Sequence, residues 1–201
     1  VPTKADRAAV CLIAVAALLT QGGERVSVLG ESAIARTGAL GLERVSRRLI
    51  LGPGAAQSVE APHISRFSRI VLSSDFLDPP ETWAARLSRF AAQEANGVLL
   101  RIVDPAEEDF PFEGRVEFHD LESKDRLIFG QTSSLADAYK TKFAAHRGAL
   151  EAIAQKITTT DGNANFSALM HGQSLWSYTE ATVTPTGASS AKTYKCVIVG
   201  R

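Results

Sequence analysis

Apolar positions along the chain change their spacing several times, and each change marks an element. From Lys4 to Leu19 the run KADRAAVCLIAVAALL is apolar on nearly every side. That predicts a helix covered on most faces, started at Pro2-Thr3 and stopped by Gly22-Gly23. In ERVSVLG, residues 24–30, Val26 and Val28 alternate with Arg25 and Ser27, the period of a short strand closed by glycine. Helical spacing returns with Leu42, Val45 and Leu49 and breaks at GPG, residues 52–54. SRIVLSS, residues 68–74, is a continuous apolar strand. Behind Pro79-Pro80, Trp83, Leu87, Phe90 and Ala91 share one helical face, which Asn96-Gly97 is expected to end. GVLLRIVDP, residues 97–105, is a second strand of the buried kind.

Strands apolar on both faces, alternating with helices, mark a mostly parallel sheet covered on two sides. The expected fold is α/β, a three-layer α/β/α sandwich. Beyond residue 113 the pattern changes: GRVEFHD (114–120) and RLIFG (126–130), joined by LESK, predict an antiparallel β-hairpin. Leu135, Tyr139, Phe143, His146, Leu150, Ile153 and Ile157 then recur every three or four residues, a long helix with one apolar stripe. From residue 158 the chain is rich in Ser, Thr and Gly without sustained periodicity, and a loop-like tail is expected until KCVIVGR, 195–201, supplies a last strand candidate. The expected organisation is one domain over 1–157 and a tail over 158–201.

Lys plus Arg and Asp plus Glu number 22 each, so no net field draws the chain to nucleic acid or an anionic membrane. The apolar run from Ala8 to Leu19 falls short of the ~20 residues that span a bilayer. Asp6, beside Lys4 and Arg7, also spoils the basic region of a signal peptide. Cys11 and Cys196 lie in apolar runs, as reduced thiols of a cytoplasmic protein do.

Acidic residues gather where the strands end: Asp75 and Asp78 after the first buried strand, Asp104, Glu107 and Glu108 after the next. Such positions line the ligand crevice of parallel sheets, and with Thr37, Ser73 and Ser74 they offer oxygen ligands of the type Mg²⁺ takes. Asp78 and Asp104 precede helix starts and are expected as N-caps; Asp75 is less easily explained that way. No phosphate loop, dinucleotide fingerprint, nucleophile elbow or zinc spacing occurs. The four histidines are dispersed, and His146, on the apolar stripe, is expected at the core or its boundary. DPAEEDFPFEGR, 104–115, sets Phe110 and Phe112 among acids in a loop: exposed rings would dock a partner, buried rings would cap the core.

TKADRAAVCLIAVAALLTQGGERVSVLG, VLSSDFLDPPETWAARL, GVLLRIVDPAEEDFPFEGRVEFHD and LADAYKTKFAAHRGALEAIA, in this order over about residues 3–157, together resemble the bacterial domain of unknown function 58 family. The resemblance implies a von Willebrand factor A-like (Rossmann-like) fold. It also implies a MoxR-type AAA+ ATPase as partner, since family members are commonly encoded beside one. A von Willebrand A domain holds a divalent ion in a metal-ion-dependent adhesion site made of D-x-S-x-S, a threonine and an aspartate. RTGAL (36–40) resembles the threonine segment and SSDF (73–76) the aspartate segment, so Thr37 and Asp75 would be ligands. D-x-S-x-S is absent, and the sequence begins after the point where it belongs.

Two ligands fall short of the octahedral shell of Mg²⁺. The expectation is therefore Mg²⁺ or a similar divalent ion in a longer parent, and none bound by this chain. A missing first strand would leave a slot of unpaired backbone groups, which TYKCVIVGR has the length and apolarity to fill. The expected function is a non-enzymatic protein-interaction module, with Asp104, Glu107, Phe110, Phe112 and Arg115 in an interaction loop. The alternatives are a metal-dependent hydrolase or phosphotransferase using Asp75, Asp78 and Asp104, and a metal-free scaffold domain.

Overall fold

A computed structural model describes residues 3–29, 34–51, 64–119, 126–129, 132–156, 176–182 and 195–200. In chain order the elements are α1 (Lys4–Gln21), β1 (Arg25–Val28), α2 (Gly38–Leu51), β2 (Arg69–Ser74), α3 (Pro80–Ala91), β3 (Asn96–Val103), α4 (Pro105–Asp109), β4 (Val116–His119), β5 (Arg126–Phe129), α5 (Ser133–Lys156), β6 (Trp176–Thr182) and β7 (Lys195–Gly200). GPG at 52–54, LESK, His63 and residues 157–175, 183–194 and 201, with Ile157 and His171 among them, lie outside the described residues. Among those described, no helix is long and apolar enough to cross a membrane.

Five strands form one sheet in the order β1-β7-β2-β3-β6, while β4 and β5 pair antiparallel as the expected hairpin. β3 is parallel to both β2 and β6. β7 runs antiparallel to both of its neighbours, so that Val197 stands opposite Val28 on one side and Val71 on the other. The apolar segment near residue 200 thus satisfies two backbone edges at once. Since β7 opposes both β1 and β2, those two point the same way, and the fold is α/β with a mixed sheet in which β2, β3 and β6 are parallel.

Three expectations need correction. WSYTEAT, taken as part of a loop-like tail, is β6, paired with β3 from Gly97–Trp176 to Val103–Thr182. The boundary placed after residue 157 therefore divides one sheet. Asn96 and Gly97 open β3 rather than closing α3, which gives way at Ala91 to a turn carrying Glu94 at φ 57°.

Local chemistry sets the element ends. Thr3 caps α1 with a reciprocal box: its Oγ1 accepts from Asp6 N–H at 3.1 Å, and the Asp6 carboxylate accepts from Thr3 N–H at 2.8 Å. Pro80 stands at the first position of α3, where its missing N–H costs nothing. Asp78, expected to cap this helix, instead pairs with Arg86 at 3.1 Å, and the N-cap residue is Pro79.

Alternation along β2 feeds two apolar clusters. Ile70 and Leu72 join Trp83, Leu87 and Phe90 of α3, Leu99 of β3, and Leu150 and Ala154 of α5. Val71 packs with the other, formed by Leu12 and Ala16 of α1, Val26 and Val28 of β1, and Val45 and Leu49 of α2. α2 can approach β1 this closely because position 41 is glycine: a Cβ there would lie 2.3 Å from the Arg36 carbonyl oxygen and 3.3 Å from Val26 Cγ2. Gly41→Ala is expected to destabilise the fold by about 1–3 kcal/mol, since backbone must move to admit the methyl. Urea unfolding measures this, and an unchanged midpoint would mean that α2 sits further from β1.

Candidate functional site

The carboxyl ends of β2 and β3 meet the start of α1. Side chains alternate along β2, so Ser73 shares the α1 side with Val71, and Asp75, just past the strand end, continues that row. Asp75 Oδ2 lies 3.7 Å from Lys4 Nζ, and the same ammonium is bonded to Glu107. The three side chains are only 7% (Asp75), 15% (Lys4) and 28% (Glu107) exposed, so water screens this cluster far less than a surface pair. Asp75 Oδ1 accepts from Leu77 N–H and from Ser74 Oγ, each at 3.4 Å, while Ser74 Oγ accepts from Phe76 N–H at 3.2 Å.

The turn after Asp75 is held from the opposite side as well. Phe76 adopts the left-handed conformation at φ 54°, where a bulky side chain is strained. Its carbonyl oxygen lies 2.7 Å from His146 Nε2. A carbonyl only accepts, so the imidazole carries a proton on Nε2. His146 is half-buried, at the boundary position expected of it. Arg101 of β3 is buried, donates from Nε to the Asp75 carbonyl at 3.3 Å, and places its guanidinium 4.3 Å from the Phe143 ring centroid on α5.

Asp104 is an N-cap, as its sequence position predicts. Its Oδ1 accepts from Ala106 N–H at 2.8 Å, and Glu107 reaches back to Asp104 N–H at 3.3 Å. Glu107 therefore closes the α4 capping box and binds Lys4, while Glu108 faces Arg147 of α5 at 3.6 Å. The segment expected to be a loop is thus a short helix tied to α1 and α5.

Phe110 ends α4 in the left-handed region at φ 47° and sits in a ring cluster. Its centroid is 5.2 Å from Phe112 and 4.7 Å from Tyr139, and Phe112 is 5.2 Å from Phe118. Thr132 Oγ1 pins this segment by donating to the Phe112 carbonyl at 2.8 Å. Beside the cluster opens a pocket of about 300 Å³ lined by Phe110, Phe118, Leu135, Ala138, Tyr139 and Lys142. Both phenylalanines are half-buried, between the two alternatives foreseen for them, and Phe110 forms a wall of the pocket. Burial raises the Tyr139 phenol above its ordinary 10.0; Glu107 adds to the shift and Arg101 opposes it. Arg115 is exposed at the foot of β4.

Thr37 does not join Asp75. Arg36 forms an antiparallel bridge with Val26, whose N–H donates to the Arg36 carbonyl at 2.8 Å. Through β7, Val26 is level with Arg69, which places Thr37 beside the start of β2 while Asp75 follows its end. At ~3.3 Å per residue the two are separated by roughly 20 Å along the strands. The metal pair inferred from RTGAL and SSDF is therefore corrected: its members stand at opposite ends of the sheet. Asp75 Oδ2 faces Lys4, and among the described residues no group of three or more His, Cys, Asp or Glu side chains stands together as metal ligands. Nor do Asp75, Asp78 and Asp104 act as one set, since Asp78 pairs with Arg86 and Asp104 caps α4.

Lys4, Arg101 and Tyr139 are the site residues that sequence reasoning missed. Lys4 entered it only as a basic residue before an apolar run. Arg101, a lone charge inside GVLLRIV, did carry a signal, because a buried arginine requires acceptors or a ring face.

A family model described as Protein of unknown function DUF58 matches residues 1–149. No curated protein and no solved structure matches the chain.

Proposed function

The chain belongs to the DUF58 family, and from that premise we propose that it is a non-enzymatic protein-interaction module of von Willebrand A-like, three-layer α/β/α architecture. The family resemblance names a MoxR-type AAA+ ATPase as the partner. The architecture is supported by the two apolar clusters that β2 feeds from its opposite faces. The observation that carries the functional reading is the aromatic pocket beside α4. It combines three rings, two aliphatic side chains and one lysine, the mixture that receives an apolar anchor next to an acidic group of a protein partner. Left-handed Phe110, packed against Phe112 and Tyr139, with Phe112 held in turn through its carbonyl by Thr132, supplies the rigidity that such a pocket needs.

The test is biolayer interferometry between the chain and a MoxR-type ATPase encoded in the same genome. Leu135→Glu places a carboxylate in the apolar wall and is expected to weaken binding at least about tenfold with little change in thermal midpoint. Absence of saturable binding up to ~100 μM would count against this partner. Divalent-dependent cleavage of a phosphate ester that disappears in Asp75→Asn would replace the binding module with an enzyme.

A further inference from the structure

We propose that Lys4 is the resident cation of the strand-end site, taking with its ammonium the place that a divalent ion would take, and that this chain is metal-independent there. The proposal goes beyond the choice of partner and does not depend on it. Three features fix the ammonium in position. The Thr3–Asp6 capping box sets Lys4 as the first residue of α1. Asp75 is buried and turns Oδ2 toward Nζ, while its other oxygen is engaged by Leu77 N–H and Ser74 Oγ. Glu107 is held by its own capping box with Asp104, so it meets Lys4 already oriented.

Charge balance argues in the same direction. Two carboxylates, Asp75 and Glu107, face one ammonium, and Asp104 shares the capping box with Glu107, while the buried Arg101 guanidinium meets only the Asp75 carbonyl, from the α5 side. A dication would have to enter beside an ammonium that already holds both carboxylates. Its arrival would force Lys4 out of a poorly hydrated cluster or leave excess positive charge there, and both are unfavourable. With the ammonium removed, Asp75 and Glu107 become an acidic pair with a space between them, an arrangement to which a hard cation is drawn.

Mn²⁺ is the probe, followed by electron paramagnetic resonance and by the thermal midpoint. The native chain is expected to show no saturable binding below ~1 mM, and Lys4→Gln to bind at least about tenfold more tightly, with a rise in midpoint as the metal saturates it. Lys4→Gln/Asp75→Asn should lose that gain, and Lys4→Arg, which keeps the charge, should stay insensitive to metal. Saturable sub-millimolar binding by the native chain that Asp75→Asn abolishes would overturn the proposal. So would a folded Lys4→Gln that binds no better than the native chain. The native titration is decisive even if Lys4→Gln does not fold.

Discussion

Replacing Ile198 with proline is expected to abolish the cooperative unfolding transition. β7 lies inside the sheet, paired to β1 on one edge and β2 on the other, so residue 198 sits in backbone ladders on both sides. Proline has no N–H to donate and its ring intrudes on the neighbouring strand, which confines it to sheet edges and bulges. The loss is at least ~3 kcal/mol and falls on the strand whose backbone joins β1 to β2, a large share of the ~5–15 kcal/mol that holds a typical domain. Far-UV circular dichroism during a thermal ramp, with size-exclusion chromatography, measures it. A cooperative melt within a few degrees of native would mean that β7 is not a central strand.

Trp83→Ala is expected to cost about 3–5 kcal/mol, or roughly 6–20 °C in thermal midpoint for a chain of this size. Trp83 is 1% exposed, packs edge-on against Phe76 with centroids 4.6 Å apart, and carries the Arg86 guanidinium 4.8 Å above its ring. Truncation leaves a cavity beneath Phe76, the residue that follows Asp75, so the loss reaches from the core to the strand ends. Differential scanning calorimetry checks the magnitude. A loss below ~1 kcal/mol would place the indole at the surface rather than in the α3–β2 cluster.

Much of the fold is legible in spacing. The apolar stripe from Leu135 predicts α5, the Trp83-Leu87-Phe90 face predicts α3, and the continuous apolar runs predict β2 and β3, because burial on known faces determines each of them. β6 escaped because Ser, Thr and Glu dominate its composition; the signal was present in Trp176, Tyr178 and Thr179, whose side chains favour strands. Site residues are harder. That Asp104 caps a helix follows from Asp-Pro-x-Glu, a local pattern. The Lys4–Asp75 pair joins residues seventy-one positions apart, which no local pattern can announce. Thr37 misled for the opposite reason: a short segment can resemble a ligand loop while a single bridge, Arg36 to Val26, carries it to the far end of the sheet.

The central position of β7 also sets a schedule for synthesis. α1, β1, α2, β2, α3 and β3 leave the ribosome well before residues 195–200, so until those residues emerge the nascent chain presents β1 and β2 as two open edges with apolar flanks. Such edges recruit other strands, and a parallel sheet closed by a distant segment forms slowly. The protein is therefore most exposed to misassembly before β7 has paired, and its yield in cells should depend on holdase chaperones more than its final stability would indicate.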